Sequence, residues 1–177
     1  MAMRHVSIVS LAVVALAGCA DMPMMAQGSG PNAVARLEPT QGNKTAGTVQ
    51  FQQRGGKVRV IATVTGLAPN QVHGFHVHEK GDCSSGDGNS AGGHFNPDNK
   101  PHGPQNAAHH AGDMPSLQAD ASGNAKATFE LEGVTIAPGP MSFVGRGLIV
   151  HKDPDDYKTQ PTGNAGARLA CAVIRAA

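Results

Sequence analysis

Residues 57–64 read KVRVIATV, in which Val58, Val60, Ala62 and Val64 are separated by Arg59, Ile61 and Thr63. A spacing of two puts the four small apolar side chains on one face of an extended strand; a helix would scatter them around its circumference. TVQFQQ at 48–53 repeats the alternation with Val49 and Phe51. Arg54-Gly55-Gly56 between the two segments supplies the positive φ angles of a tight hairpin. Further short strands are predicted at 34–37, 73–79, around Leu117, and at 125–131, 148–151 and 169–174, with a second hairpin turn at Ala121-Ser122-Gly123-Asn124. The 23 Gly and 12 Pro residues favour turns over helices. Eight short strands without a helical period predict an all-β, eight-stranded Greek-key β-sandwich or barrel, built as one domain over residues 33–177.

Two segments break the pattern. Residues 80–116 are a 37-residue stretch of Gly, Asn, Asp, Pro and His with almost nothing to bury, and residues 152–167 are a shorter case. A loop that long inside a compact domain is functional or disordered, and this one needs staples other than a hydrophobic core. Its residue types offer two, a disulfide and bound metal.

The N-terminus follows different rules. Arg4 precedes an apolar run over 6–17, which as a helix spans only about 18 Å, against a hydrocarbon core of roughly 30 Å. A signal peptide over 1–18 is the expectation, and with it export. LAGC at 16–19 resembles the bacterial lipobox, in which Cys19 carries lipid and becomes the first mature residue; simple cleavage and release is the alternative. Of the three cysteines, Cys83 and Cys171 then remain, an even number in an oxidising compartment. Residues 19–32 read as a flexible tether, and its Met22, Met24 and Met25 as plain linker or as soft ligands for Cu(I). The net charge of +1 gives no basic excess for nucleic acid.

Eight histidines lie beyond the signal segment. In the strand HGFHVHE, His76 and His78 share one face while His73, Phe75 and Val77 share the other. With Phe75 and Val77 turned to the core, His76 and His78 face outward, toward the loops. His94, His102 and His110 follow at intervals of eight, and Asp113 three residues later. Three imidazoles and a carboxylate complete a tetrahedral Zn²⁺ set with no open position, the mark of a structural site.

GFHVHEKGDC, SAGGHFNP, HAGD and GNAGARLAC occur in this order, and the chain from about residue 33 to 174 resembles the copper/zinc superoxide dismutases, in particular their bacterial periplasmic branch. The resemblance implies long metal-binding loops on the β-barrel, and copper and zinc as cofactors. It implies copper ligands His76, His78, His94 and His151, and zinc ligands His94, His102, His110 and Asp113, with His94 shared as an imidazolate. Asp155 corresponds to the family's aspartate that orients ligand histidines, and Arg168 to its anion-guiding arginine beside copper. His94 and Arg168 would act in catalysis. His73 corresponds to a core-side histidine that is not a ligand. Cys83 and Cys171 correspond to the family's disulfide, worth roughly 4–5 kcal/mol for a loop of about 90 residues.

The implied reaction dismutes superoxide to O₂ and H₂O₂ in the cell envelope. The only membrane association would run through the lipid anchor, and a homodimer is one association left open. Three departures accompany the likeness. The segment His102-Gly103-Pro104 is one residue shorter than the family's pattern, and His109 beside His110 leaves two candidates for one ligand. The 152–167 loop is shorter than in animal relatives, so Lys80, Lys152 and Lys158 are only candidates for steering substrate. A copper-holding protein without turnover, and a domain merely stapled by metal, are the rival readings.

Overall fold

The computed structural model describes residue 1 and residues 30–177. The signal segment, Cys19 and Met22–Met25 lie outside the described residues. Strands β1 (Asn32–Pro39), β2 (Ala46–Arg54) and β3 (Lys57–Thr65) form an antiparallel meander. After them come β4 (Val72–His73), β5 (Phe75–His78), β6 (Leu117–Gln118), β7 (Ala125–Glu132), β8 (Gly147–His151), β9 (Arg168–Val173) and β10 (Arg175–Ala176). One curled sheet runs in the order β5-β8-β9-β1-β2-β3-β7, with β10 added beside β1, and β4 pairs with β6 in a small second sheet. Every strand pairing is antiparallel. The all-β fold expected from the alternation is the one observed; a single 3₁₀ turn at Asn89–Ala91 is the helical content among the described residues.

Period two decides which side chains meet. Val58, Val60, Ala62 and Val64 are all buried, as are Val49 and Phe51, and Val60 sits opposite Phe51 across the β2–β3 pair. Phe51 meets Phe143 edge to face with ring centroids 5.9 Å apart. The β2–β3 turn is the expected two-residue one, with Arg54 paired to Lys57 and Gly55 at φ 56°.

Three expectations need correction. The strand over 73–79 is interrupted at Gly74, whose N–H donates to Asp153 O and whose carbonyl accepts from His151 N, so β4 and β5 join different sheets. The 121–124 segment is a turn, with Ser122 and Asn124 N–H donating to Asp120 Oδ1, but it is not a hairpin: β6 pairs with β4 and β7 with β3. The 80–116 loop buries more than its composition promised, with Ala91, Phe95 and Met114 all inside.

A disulfide joins Cys83 to Cys171 across 88 residues, fixing the long loop to β9. One further irregularity positions the site. Between β8 and β9 the register shifts after Val150–Ala170, so that His151 pairs with Arg168 and Leu169 is the extra residue of a bulge. Without it, Arg168 would share the core-facing parity of Ala170, Ala172 and Ile174, all buried. The bulge turns Arg168 to the outer side, next to His151.

Candidate metal centre

β5 offers His76 and His78 on the face away from Phe75 and Val77, as alternation requires, and β8 ends on His151. The outward face is not open: the 80–116 loop covers it, leaving His76 and His78 at most 1% exposed. Backbone bonds lay the loop down, with Val77 N donating to Gly112 O, Phe95 N to Val77 O and Gly112 N to Phe95 O. His94 thereby comes opposite His78, and Asp113 opposite His76.

The ring nitrogens sort themselves by partner. His76 Nε2 donates to Asp155 Oδ2 at 2.7 Å, His78 Nδ1 to Gly92 O at 2.9 Å, and His151 Nδ1 to Gly166 O at 3.1 Å. Each ring's opposite nitrogen is thus a lone pair turned inward, and His78 Nε2 and His151 Nε2 lie 3.3 Å apart. His76 Nδ1 and His94 Nε2 are fully buried with no protein partner. An unsatisfied buried nitrogen is costly, and two in one group call for an absent bonding partner. His76, His78, His94 and His151 form one compact group of donors within 4.8 Å of one another. Four imidazole nitrogens suit tetragonal Cu(II).

A second group of the same compactness contains His94, His102, His110 and Asp113. His94 Nδ1 lies 2.8 Å and His102 Nδ1 3.0 Å from Asp113 Oδ1, and His110 Nδ1 is 3.4 Å from both Asp113 Oδ1 and His94 Nδ1. Donors placed about 2.0–2.1 Å from a tetrahedral centre stand about 3.3 Å apart, so the spacing fits Zn²⁺. Asp113 Oδ2 accepts from Gly103 N and His110 N, which aims Oδ1 at the group. His110 rather than His109 enters the cluster; His109 is half-buried and turned to Ala107 O. His94 alone belongs to both groups, one nitrogen to each.

The electrostatics favour metal. Burial, helped by the neighbouring imidazole of His76, pushes His151 down to about 3 and His94 down to about 4, and burial pushes His78 well below its ordinary value. These rings are neutral, with lone pairs free. Burial alone would lower His102, but hydrogen bonding to the Asp113 and Asp155 carboxylates raises it to about 9. Burial would raise Asp113 and Asp155, but the imidazoles bonded to them hold both well below the usual carboxylate range. Asp155 accepts from His76 Nε2 through Oδ2 and from His102 Nε2 through Oδ1, tying a ligand of one group to a ligand of the other.

Beside the first group lies an open cleft of about 370 Å³ lined by Thr40, Asn43, His78, Asn89, His151 and Arg168, among others. Arg168 donates to Gly88 O at 2.8 Å and to Gly92 O at 2.7 Å, the latter the carbonyl that also takes the His78 proton. Its own carbonyl accepts from Thr40 Oγ1, which in turn accepts from Asn43 Nδ2. No local motif announces Thr40, Asn43 or the Gly92 carbonyl, because their contacts span up to 128 residues. His73, on the core side, donates from Nδ1 to His151 O, and its Nε2 has no partner.

Comparison with known proteins agrees. The family description copper/zinc superoxide dismutase matches residues 45–174. A superoxide dismutase [Cu-Zn] of Brassica juncea is 45% identical over 80% of this chain and 95% of its own length. A second, from Aquifex aeolicus, is 40% identical over 80% of this chain and 85% of its own. That of Paramecium bursaria Chlorella virus 1 is 42% identical over 72% and 71%. Among solved structures, the crystal structure of the clock protein EA4 superposes with a TM-score of 0.74 at 39% identity, covering 81% of this chain and 93% of that one. The chain therefore belongs to the copper/zinc superoxide dismutase family, and it dismutes superoxide with copper and zinc as its cofactors.

Proposed function

We propose that copper is held by His76 Nδ1, His78 Nε2, His94 Nε2 and His151 Nε2. Zinc is held by His94 Nδ1, His102 Nδ1, His110 Nδ1 and Asp113 Oδ1. The supporting observation is that His94 presents one nitrogen to each donor group, its Nε2 buried without a protein partner. Copper, when bound, supplies a one-electron couple that takes an electron from one superoxide and returns it to a second, while zinc stays redox-inert.

The chain's residues bring the anion in and manage the proton. Arg168 keeps a permanent charge, and with two of its five N–H groups tied to backbone carbonyls it holds the rest for a small anion beside His78 and His151. Thr40, Asn43 and Asn89 offer hydrogen bonds along the rim, and Asp87 places one carboxylate beside them. Reducing the second superoxide to H₂O₂ consumes two protons, both drawn from water; His94 Nε2 would take one up while it is not bound to copper and pass it to the reduced oxygen. At rest the low proton affinity of His94 leaves Nε2 free. Asp155 fixes the tautomers of His76 and His102.

The decisive experiment loads the protein with copper and zinc and measures superoxide disproportionation beside Arg168→Ala. The wild type turns over, and Arg168→Ala loses about tenfold or more in kcat/KM. A fully loaded wild type without turnover would overturn the mechanism.

The enzyme works in the cell envelope, tethered through lipid on Cys19. The charged start, short apolar run and LAGC support this reading. Intact mass of the mature protein tests it: acyl chains on Cys19 are expected, and an unmodified N-terminus at another residue contradicts it. Association as a homodimer stays open, and sedimentation at monomer or dimer mass decides it.

A further inference from the structure

The segment around His102 has little holding it. No strand lies between residues 79 and 116, and His102 itself sits in a stretch of Gly, Pro and Asn. Both main-chain groups of His102 are nevertheless satisfied, and by one side chain. His102 N–H donates to Gln160 Oε1 at 2.8 Å, and Gln160 Nε2 donates to His102 O at 2.9 Å. Gln160 is 58 residues away, in the short 152–167 loop. A primary amide bonded through both ends mimics a strand pairing and fixes the backbone in position and direction.

Two neighbours from the same loop complete the hold. The Tyr157 ring lies parallel to the His102 ring, 4° between planes. The Tyr157 hydroxyl accepts from Ser116 N at 2.9 Å and donates to Met114 O at 3.2 Å, pinning it to the far end of the metal-bearing loop. Asp155 takes the His102 Nε2 proton. At Gly163, φ is 65°, and a Cβ there would overlap Asp155 Oδ1 and come within 2.6 Å of His102 Nε2, so the loop closes over this hydrogen bond only as glycine.

We infer that Gln160 is a positioning residue of the zinc site: it sets where His102 Nδ1 points and ties zinc retention to the order of the 152–167 loop. This rests on His102 being a zinc ligand. Because Gln160 touches no donor of the copper group, its removal acts on zinc first. Outer partners of metal ligands typically contribute 10- to 100-fold in affinity.

The test uses protein carrying Cu(II) in the copper group and Co(II) as a spectroscopic substitute for zinc, challenged with excess chelator. Gln160→Met, of similar size without hydrogen bonds, should release Co(II) about tenfold faster than wild type, with altered Co(II) visible bands and unchanged retention of Cu(II) under the same chelator. Gln160→Glu keeps the acceptor for His102 N–H and should fall between, which also covers a Met variant that does not fold. Co(II) release and bands equal to wild type in either foldable variant would overturn the inference. His102→Ala separates the underlying assignment: retention of tetrahedral Co(II) bands there would mean that His102 is not a ligand at all.

Discussion

The β1–β2–β3–β7 sheet and the two loops that cover the site are held by different forces. The sheet is stitched by apolar side chains in register, Val60 against Phe51 and Ala62 against Val49, and nothing ionisable takes part in its core. The 80–116 and 152–167 loops are tied by a disulfide, by carboxylate–imidazole bonds and by side-chain-to-backbone bonds such as those of Gln160. Hydrophobic burial holds regardless of metal and nearly regardless of pH, whereas the loop contacts converge on nitrogens that want a cation. The division of labour makes the barrel a platform that exists before the metals do, and the loops a structure that the metals finish.

The sharpest way to break that division is to damage each side separately. Phe51→Ala should cost about 3–5 kcal/mol, and the same amount with or without copper and zinc, by denaturant unfolding. A metal-dependent cost would mean that core and site are one cooperative unit. Next, Cys83→Ser should cost about 2–5 kcal/mol. Hydrogen exchange should rise over residues 80–95 while β2 and β3 keep their protection; uniform loss across the chain would refute the separation. Asp155→Ala strands His76 Nε2 and His102 Nε2 in a buried place and should weaken metal binding about 10- to 100-fold. Competition with a chelator reads it, and unchanged affinity would remove Asp155 from the assignment.

A milder effect comes from protons. In metal-free protein, His94 and His151 have folded values of about 4 and about 3, below the unfolded imidazole value of about 6.5. Their contribution is present above pH about 6.5 and is lost as pH falls toward these values, because the unfolded chain binds protons that the folded one refuses. His102, raised to about 9, has the opposite sign: its contribution is complete below pH about 6.5 and is lost as pH rises through 9. Metal-free protein should therefore melt highest near pH 6.5, and loaded protein should lose both slopes. A flat melting profile for metal-free protein between pH 4.5 and 8.5 would contradict the arrangement. The smallest effect concerns the cleft. Asp87 lies beside Arg168 and partly opposes its field. Asp87→Asn should raise kcat/KM about twofold at low salt, and the gain should vanish at high ionic strength.

How much could be read in advance follows the same boundary. Strand positions were legible because alternation of Val and Ala with polar residues is a local signal with one physical meaning. The ligand histidines were legible because His is rare enough on a strand or in a spaced series to stand out, and the likeness to a known family named their partners. Gln160 was not. A lone glutamine in a turn-rich loop has no periodicity, and its role arises from a contact 58 residues distant. The break at Gly74 escaped for a similar reason: His73 and Phe75 belong to one apolar pattern but to two sheets. His76 and His78 were placed on the correct face, yet alternation distinguishes core from non-core and cannot tell open surface from a surface roofed by a loop.

The surplus residue between β8 and β9 carries a consequence for anyone who would reshape this enzyme. Strand parity is counted in whole residues, so the chemistry of the cleft hangs on an integer. Were Leu169 to pair with His151 as an ordinary strand residue, the tail of β9 and its cysteine would stay where they are while the guanidinium rotated from the mouth of the cleft toward the valines and phenylalanines of the interior. A gene shortened by the Leu169 codon would keep the cation, because Arg168 would then directly precede inward-facing Ala170; a chain that kept every residue and lost only the bulge would be a barrel with no cation to greet the substrate.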